Sequence, residues 1–128
     1  MKTSFHFLEL KSAVVRGPES AWVPNTDVYE ADGGIVVNVE LAGIRREDLQ
    51  LVVEENRLRI RGERPDQCRD GKCRFLIMEI NYGPFECEVD LPAGYDLSSA
   101  KAVYQNGFLR IDVPASPKPG KRTSLPIS

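Results

Sequence analysis

Residues 100–114 read AKAVYQNGFLRIDVP, and the fold follows from them outward. Asn106-Gly107 is a turn dipeptide, because glycine takes positive φ freely and asparagine tolerates it better than most residues. Leu109, Ile111 and Val113 then recur at period two, alternating with Arg110 and Asp112, the pattern of a strand with one apolar face. Pro114 stops the run, since proline has no N–H to give to a ladder. A short antiparallel strand closing a β-domain is the expectation.

The same alternation recurs upstream. Ile35, Val37, Val39 and Leu41 form one set, and Leu49, Leu51 and Val53 another. Leu58 and Ile60 alternate with Arg57, Arg59 and Arg61, giving a strand with one basic face. In Phe85-Glu86-Cys87-Glu88-Val89-Asp90-Leu91 the acidic residues take one face and Cys87 joins the apolar one. Turn signals separate these runs at Asp32-Gly33-Gly34, Ala42-Gly43, Glu55-Asn56, Asn81-Tyr82-Gly83-Pro84 and Pro92-Ala93-Gly94. Short strands at this spacing indicate an all-β, immunoglobulin-like sandwich. Arg45-Arg46-Glu47-Asp48 is the one local helical signal, about a single turn.

At 128 residues, 41% hydrophobic, the chain is one domain with extensions: an N-terminal arm (1–24), the β-domain (25–114) and a C-terminal extension (115–128). Its net charge of −2 gives no reason to expect nucleic acid, whose binding shows as a basic patch or stripe. Arg57, Arg59, Arg61 and Arg64 lack interleaved aromatics and have carboxylates nearby. No apolar run approaches the roughly 20 residues that cross a bilayer, so no membrane partner is expected. His6, Glu9 and Lys11 interrupt the first apolar stretch and no leader is expected, which points to the cytoplasm.

Enzymatic chemistry finds no constellation. His6 is the only histidine and stands in the arm, so no Ser/His/Asp or Cys/His set can assemble in the domain. Gly33-Gly34 and Gly120-Lys121 lack the spacing of a phosphate loop. No catalytic residue, cofactor or metal is expected. Cys87 reads as a small buried hydrophobe. Cys68 and Cys73 lie in the polar stretch ERPDQCRDGKCR (63–74), open to a redox switch or a share in a metal site. That loop offers no histidine, whereas zinc sites need four ligands.

In the arm, Phe5, Phe7, Leu8, Leu10, Val14, Val15 and Trp22 are scattered without sustained alternation. Phe7, Leu10 and Val14 fit one face of a short helix, interrupted by Gly17-Pro18. The tail ASPKPGKRTSLPIS has three prolines and three basic residues, so an extended, flexible and largely solvated backbone is expected. In an extended segment Leu125 and Ile127 point the same way and can enter one groove.

The order of these motifs resembles the small heat-shock proteins, the α-crystallin-domain family. The likeness is carried by the signature at 100–114, then Asp27-Val28-Tyr29-Glu30, Val37-Asn38-Val39-Glu40-Leu41-Ala42-Gly43-Ile44 and Glu47-Asp48-Leu49. It continues through Asn56-Arg57-Leu58-Arg59-Ile60-Arg61-Gly62-Glu63-Arg64, Tyr82-Gly83-Pro84-Phe85 and Leu91-Pro92. Leu125-Pro126-Ile127 resembles the family's C-terminal apolar-x-apolar motif.

The resemblance implies an ATP-independent holdase that binds partly unfolded proteins, forms homodimers and assembles further. It assigns Gly71, Lys72, Cys73, Arg74 and Phe75 to a dimerisation loop that pairs with the partner's edge strand at Thr26, Asp27, Val28 and Tyr29. Where relatives carry arginines on the following strand, this chain has Ile77 and Ile80 around Glu79, which suggests a more apolar contact. Leu125, Pro126 and Ile127 become the link between dimers, entering a neighbour's groove lined by Val52 and by Phe85, Cys87 and Val89. Phe5, Phe7, Leu8, Leu10 and Trp22 become client contacts. The alternative is a monomeric β-sandwich co-chaperone or adaptor, which needs neither the long loop nor the tail motif.

Overall fold

A computed structural model describes residues 13–66, 68, 71–116 and 123–128. Within them the chain forms two antiparallel sheets packed face to face. One sheet has the order β1-β6-β5-β4-β9 and the other β2-β3-β8-β7. The strands are β1 Val14–Arg16, β2 Thr26–Ala31, β3 Gly34–Glu40, β4 Gln50–Glu54, β5 Arg57–Arg64, β6 Gly83–Asp90, β7 Lys101–Gln105, β8 Phe108–Val113 and β9 Thr123–Ser124. The helical signal at 45–48 is a 3-10 turn over Arg46–Asp48.

Alternation becomes burial as expected. Val37, Val39, Leu109 and Ile111 from one sheet meet Leu51, Val53, Leu58, Ile60, Cys87 and Val89 from the other in a single core. Full burial of an aliphatic side chain of this size stabilises by about 1.5–3 kcal/mol. The core therefore holds the sheets together without a long helix. Asn106 and Gly107 both have positive φ, 55° and 81°, the signature of a type I′ hairpin whose twist matches its strands. Gln105 pairs with Phe108 across it. Gly62 stands opposite Phe85 in the β5–β6 ladder. A Cβ there would sit 2.5 Å from the Phe85 ring, so only glycine lets that ring lie over the strand.

The outer face of the first sheet is a ladder of ion pairs. Arg57 faces Asp90, Arg59 faces Glu88 and Arg61 faces Glu86 in register. Their closest N···O separations are 2.8, 2.9 and 3.4 Å. Arg16 on β1 adds a contact of 2.6 Å to Asp90. The basic face read from the sequence is thus neutralised across the strands.

Segments expected to be free pack on the sandwich. Val14, placed by spacing on a short helix with Phe7 and Leu10, lies instead in β1 and pairs with Asp90. An isolated helical turn is unstable in water, whereas the edge of β6 offers ready backbone partners. At the other end, β9 pairs with β4 through Val52↔Ser124 and Val53↔Thr123. The last residues of the tail are therefore ordered on the domain.

Candidate functional site: tail seat, open edge and loop

The tail seat lies where the edges of the two sheets meet. Setting aside the tail's own strand β9, β4 borders one sheet and β7 the other, and the tail runs between them. The Leu125 N–H donates to the Leu51 carbonyl at 3.3 Å. Ile127 bridges to Ala102 on β7 in parallel register. The Tyr104 N–H donates to the Ser128 carbonyl at 3.0 Å, and the Ser128 N–H to the Ala102 carbonyl at 2.9 Å. Leu125 is 8% exposed and belongs to the core, and Ile127 is half-buried against it. Pro126 between them is exposed, as an extended segment with alternating faces requires. The seat occupied here is the chain's own.

Its walls correct one expectation. Val52 does border the seat, as the partner of Ser124. Phe85, Cys87 and Val89 do not: they lie on β6, which is enclosed between β5 and β1. Their side chains are fully buried in the core and cannot line a groove. The second wall is β7, with Ala102 and Tyr104. Tyr104 is fixed from behind, where its hydroxyl donates to the Leu41 carbonyl. Alternation identifies which side chains point inward, but not which strand edges meet when the sheets stack.

Cys87 is a core residue. Burial pushes its thiol above the ordinary range, with Thr26 as a partial hydrogen-bond partner at 3.7 Å.

The opposite border of the second sheet is β2, which carries Thr26, Asp27, Val28 and Tyr29. It pairs with β3 and has no second strand partner among the described residues. Its backbone groups on that side form a row that another strand can join.

Gly71, Lys72, Cys73, Arg74 and Phe75 form an exposed, irregular run. A continuous apolar stretch follows: Phe75 is 46% exposed, Leu76 85% and Ile77 79%, with Met78 and Ile80 also exposed. Ile77 and Ile80, expected on a strand, are not in one. β5 and β6 already pair with each other from Arg64↔Gly83 onward, so the loop between them adds to neither strand.

Arg64 anchors the base of this loop. Its Nε donates to the Asn81 carbonyl at 2.8 Å and its Nη1 to the Ala42 carbonyl at 3.0 Å. Its guanidinium also lies 4.4 Å from the centroid of the Trp22 ring. Trp22, expected as a client contact, packs half-buried on the domain. Its indole N–H donates to the Gly83 carbonyl at 3.2 Å, and its ring packs on Phe85 at 5.2 Å. Backbone bonds to Pro84 and Glu86 hold it along β6. A large aromatic with a polar handle finds such a partner when it borders a core. Phe5, Phe7, Leu8 and Leu10 lie outside the described residues.

The site offers surfaces for binding chain segments. Among the described residues there is no cluster of three or more His, Cys, Asp or Glu that could hold a metal. No helix among them is long and apolar enough to cross a membrane.

A model of the Hsp20/alpha crystallin family matches residues 27–128. Small heat shock protein C2 of Rickettsia felis is 30% identical over 75% of this chain and 62% of its own length. The chain thus spans less than two thirds of that relative. Among solved structures, heat shock protein 16.0 of Schizosaccharomyces pombe superposes with a TM-score of 0.75 at 26% identity, over 91% of this chain and 85% of that one. A small heat-shock protein from Xylella fastidiosa, described as having a distinct high order structure, gives 0.67 at 30% identity, over 73% and 86%.

Proposed function

Because the chain belongs to the Hsp20/alpha crystallin family, we propose that it is an ATP-independent chaperone that holds partly unfolded proteins and keeps them from aggregating. The observation that carries this assignment is the run Phe75, Leu76, Ile77, Met78 and Ile80, left exposed in a chain whose β2 edge has no second strand partner among the described residues. Such contiguous apolar surface marks an interaction site. Two chains can satisfy each other: the loop of one, from Gly71 through Phe75 and on to Ile80, adds to the β2 edge of the other at Thr26 to Tyr29. Strand addition gives affinity through backbone bonds and specificity through alternate side chains.

Tail exchange would extend the dimer. A seat that accepts its own Leu125 and Ile127 accepts those of an identical chain equally well, the logic of a domain swap. The tail alternates between its own seat and a neighbour's, linking dimers reversibly. The high order structure named for the Xylella fastidiosa protein supports assembly beyond the dimer here. A monomeric adaptor would have use for neither the exposed loop nor the seated tail.

Incubating the protein with a heat-unfolded client in the absence of nucleotide, then separating by size, tests the assignment. The client should co-elute with the chaperone as a large soluble complex. Its recovery in the pellet at every ratio, or co-elution only with ATP, would refute the assignment.

A further inference from the structure

Cys68 and Cys73 flank a turn built to bring them together. The Cys68 N–H donates to the Asp66 carboxylate at 2.9 Å, and the Gly71 N–H reaches the Cys68 carbonyl at 3.4 Å. Gly71 has φ of +75°, a conformation L side chains rarely adopt. The two Cα atoms stand 5.9 Å apart, with the two side chains directed at one another. A disulfide fits a Cα separation of roughly 5.5–6 Å. Cys73 is exposed and Cys68 half-buried, while Cys87 is buried.

We infer that Cys68 and Cys73 form a reversible disulfide that withdraws Gly71, Lys72 and Cys73 from the partner-facing strand of the loop. Five residue steps of extended strand span about 16 Å at ~3.3 Å per residue. The observed separation of Cys68 and Cys73, 5.9 Å, falls far short of that span. With the disulfide closed, strand pairing can begin only at Arg74. Reduced, the chain can straighten and pair from Gly71 onward, lengthening the contact with the β2 edge of a second copy. The oxidant required is a low-molecular-weight disulfide such as oxidised glutathione. One cysteine thiolate attacks it and expels a small thiolate. The second cysteine then attacks the mixed disulfide and expels the other. Two protein thiols lose two electrons and two protons, and one small disulfide becomes two thiols.

The inference rests on the loop-to-edge dimer, and the test separates the two. Full-length protein is equilibrated with oxidised glutathione or with dithiothreitol, then denatured, alkylated with iodoacetamide and weighed. One alkylated cysteine, Cys87, is expected after oxidation and three after reduction. Three after oxidation, or a persistent glutathione adduct, overturns the disulfide. Subunit exchange between fluorescently labelled full-length chains is then followed in both states. Oxidised protein should exchange about tenfold faster, equivalent to about 1.4 kcal/mol, while Cys68→Ser/Cys73→Ser should exchange at the reduced rate in either buffer. Equal rates for oxidised and reduced wild type, or the same oxidative shift in the serine variant, would overturn the switch. Leu76→Ser/Ile77→Ser probes the dimer contact alone. Unchanged assembly in that variant refutes the dimer contact, whatever the alkylation count.

Discussion

Replacing Leu125 and Ile127 together by alanine should unseat the tail. Leu125 is 8% exposed within the core and Ile127 half-buried beside it. Leu→Ala removes roughly three carbons, about 2.4 kcal/mol at ~0.8 kcal/mol per CH₂, and the half-buried isoleucine adds about 1.2 kcal/mol. At ~1.4 kcal/mol per tenfold, seating weakens by roughly two to three orders of magnitude. Hydrogen exchange reads this at particular amides. The Tyr104 N–H donates to Ser128, the Ser128 N–H to Ala102 and the Leu125 N–H to Leu51. Protection of Tyr104 should therefore fall by up to that factor, while Val37 and Ile111, in the β3–β8 ladder, stay slow. Oligomer size should drop to dimers with strand content intact, because a tail that fails on its own seat fails equally on a neighbour's. If Tyr104 keeps its protection and the oligomer its size, the seat does not depend on these side chains. The link would then have to come from elsewhere, the N-terminal arm with Phe5, Phe7 and Leu8 first.

Two further outcomes follow from the geometry. Arg64→Ala removes the stack on Trp22 and both carbonyl contacts at the loop base. A cation–π contact contributes about 0.5–1 kcal/mol at such a site, so global stability should fall modestly. The tryptophan emission should move to longer wavelength as the ring gains water, and an unchanged spectrum would show that Arg64 does not hold it. Acidification should weaken the ion-pair ladder: the Arg57 hydrogen bond, with Arg16 adding to it, holds the Asp90 carboxyl below its ordinary value. A lowered carboxylate contributes stability that is fully present above the unfolded value of about 3.9 and is lost as pH falls through the folded one. Asp90→Asn should flatten that acid limb of the denaturation profile, and a limb that persists unaltered would remove Asp90 as its source.

The strands of the sandwich were legible because each is a half-buried surface. Leu58 and Ile60 alternating with arginines, and Leu109, Ile111 and Val113 after Asn106-Gly107, fix both the face and the hairpin by local rules. The tail motif was legible for the same reason, since residues two apart share a face. The seat was not. Its walls come from β4 and β7, edges of different sheets, and sheet stacking is a tertiary fact with no periodicity of its own. The place of Trp22 was not legible because the arm lacks alternation, so no pattern could indicate that an isolated aromatic would land on Phe85 and beneath Arg64. The cysteine pair stood in a polar loop without alternation, and only the turn at Gly71 brings it together.

Light scattering of a heat-unfolded client, titrated with this protein and without nucleotide, bears most directly on the chaperone assignment. Scattering should fall as subunits are added and be abolished near stoichiometric amounts, with no change when ATP is supplied. Scattering that stays at the client-alone level through a clear molar excess, or that falls only when ATP is present, would contradict it.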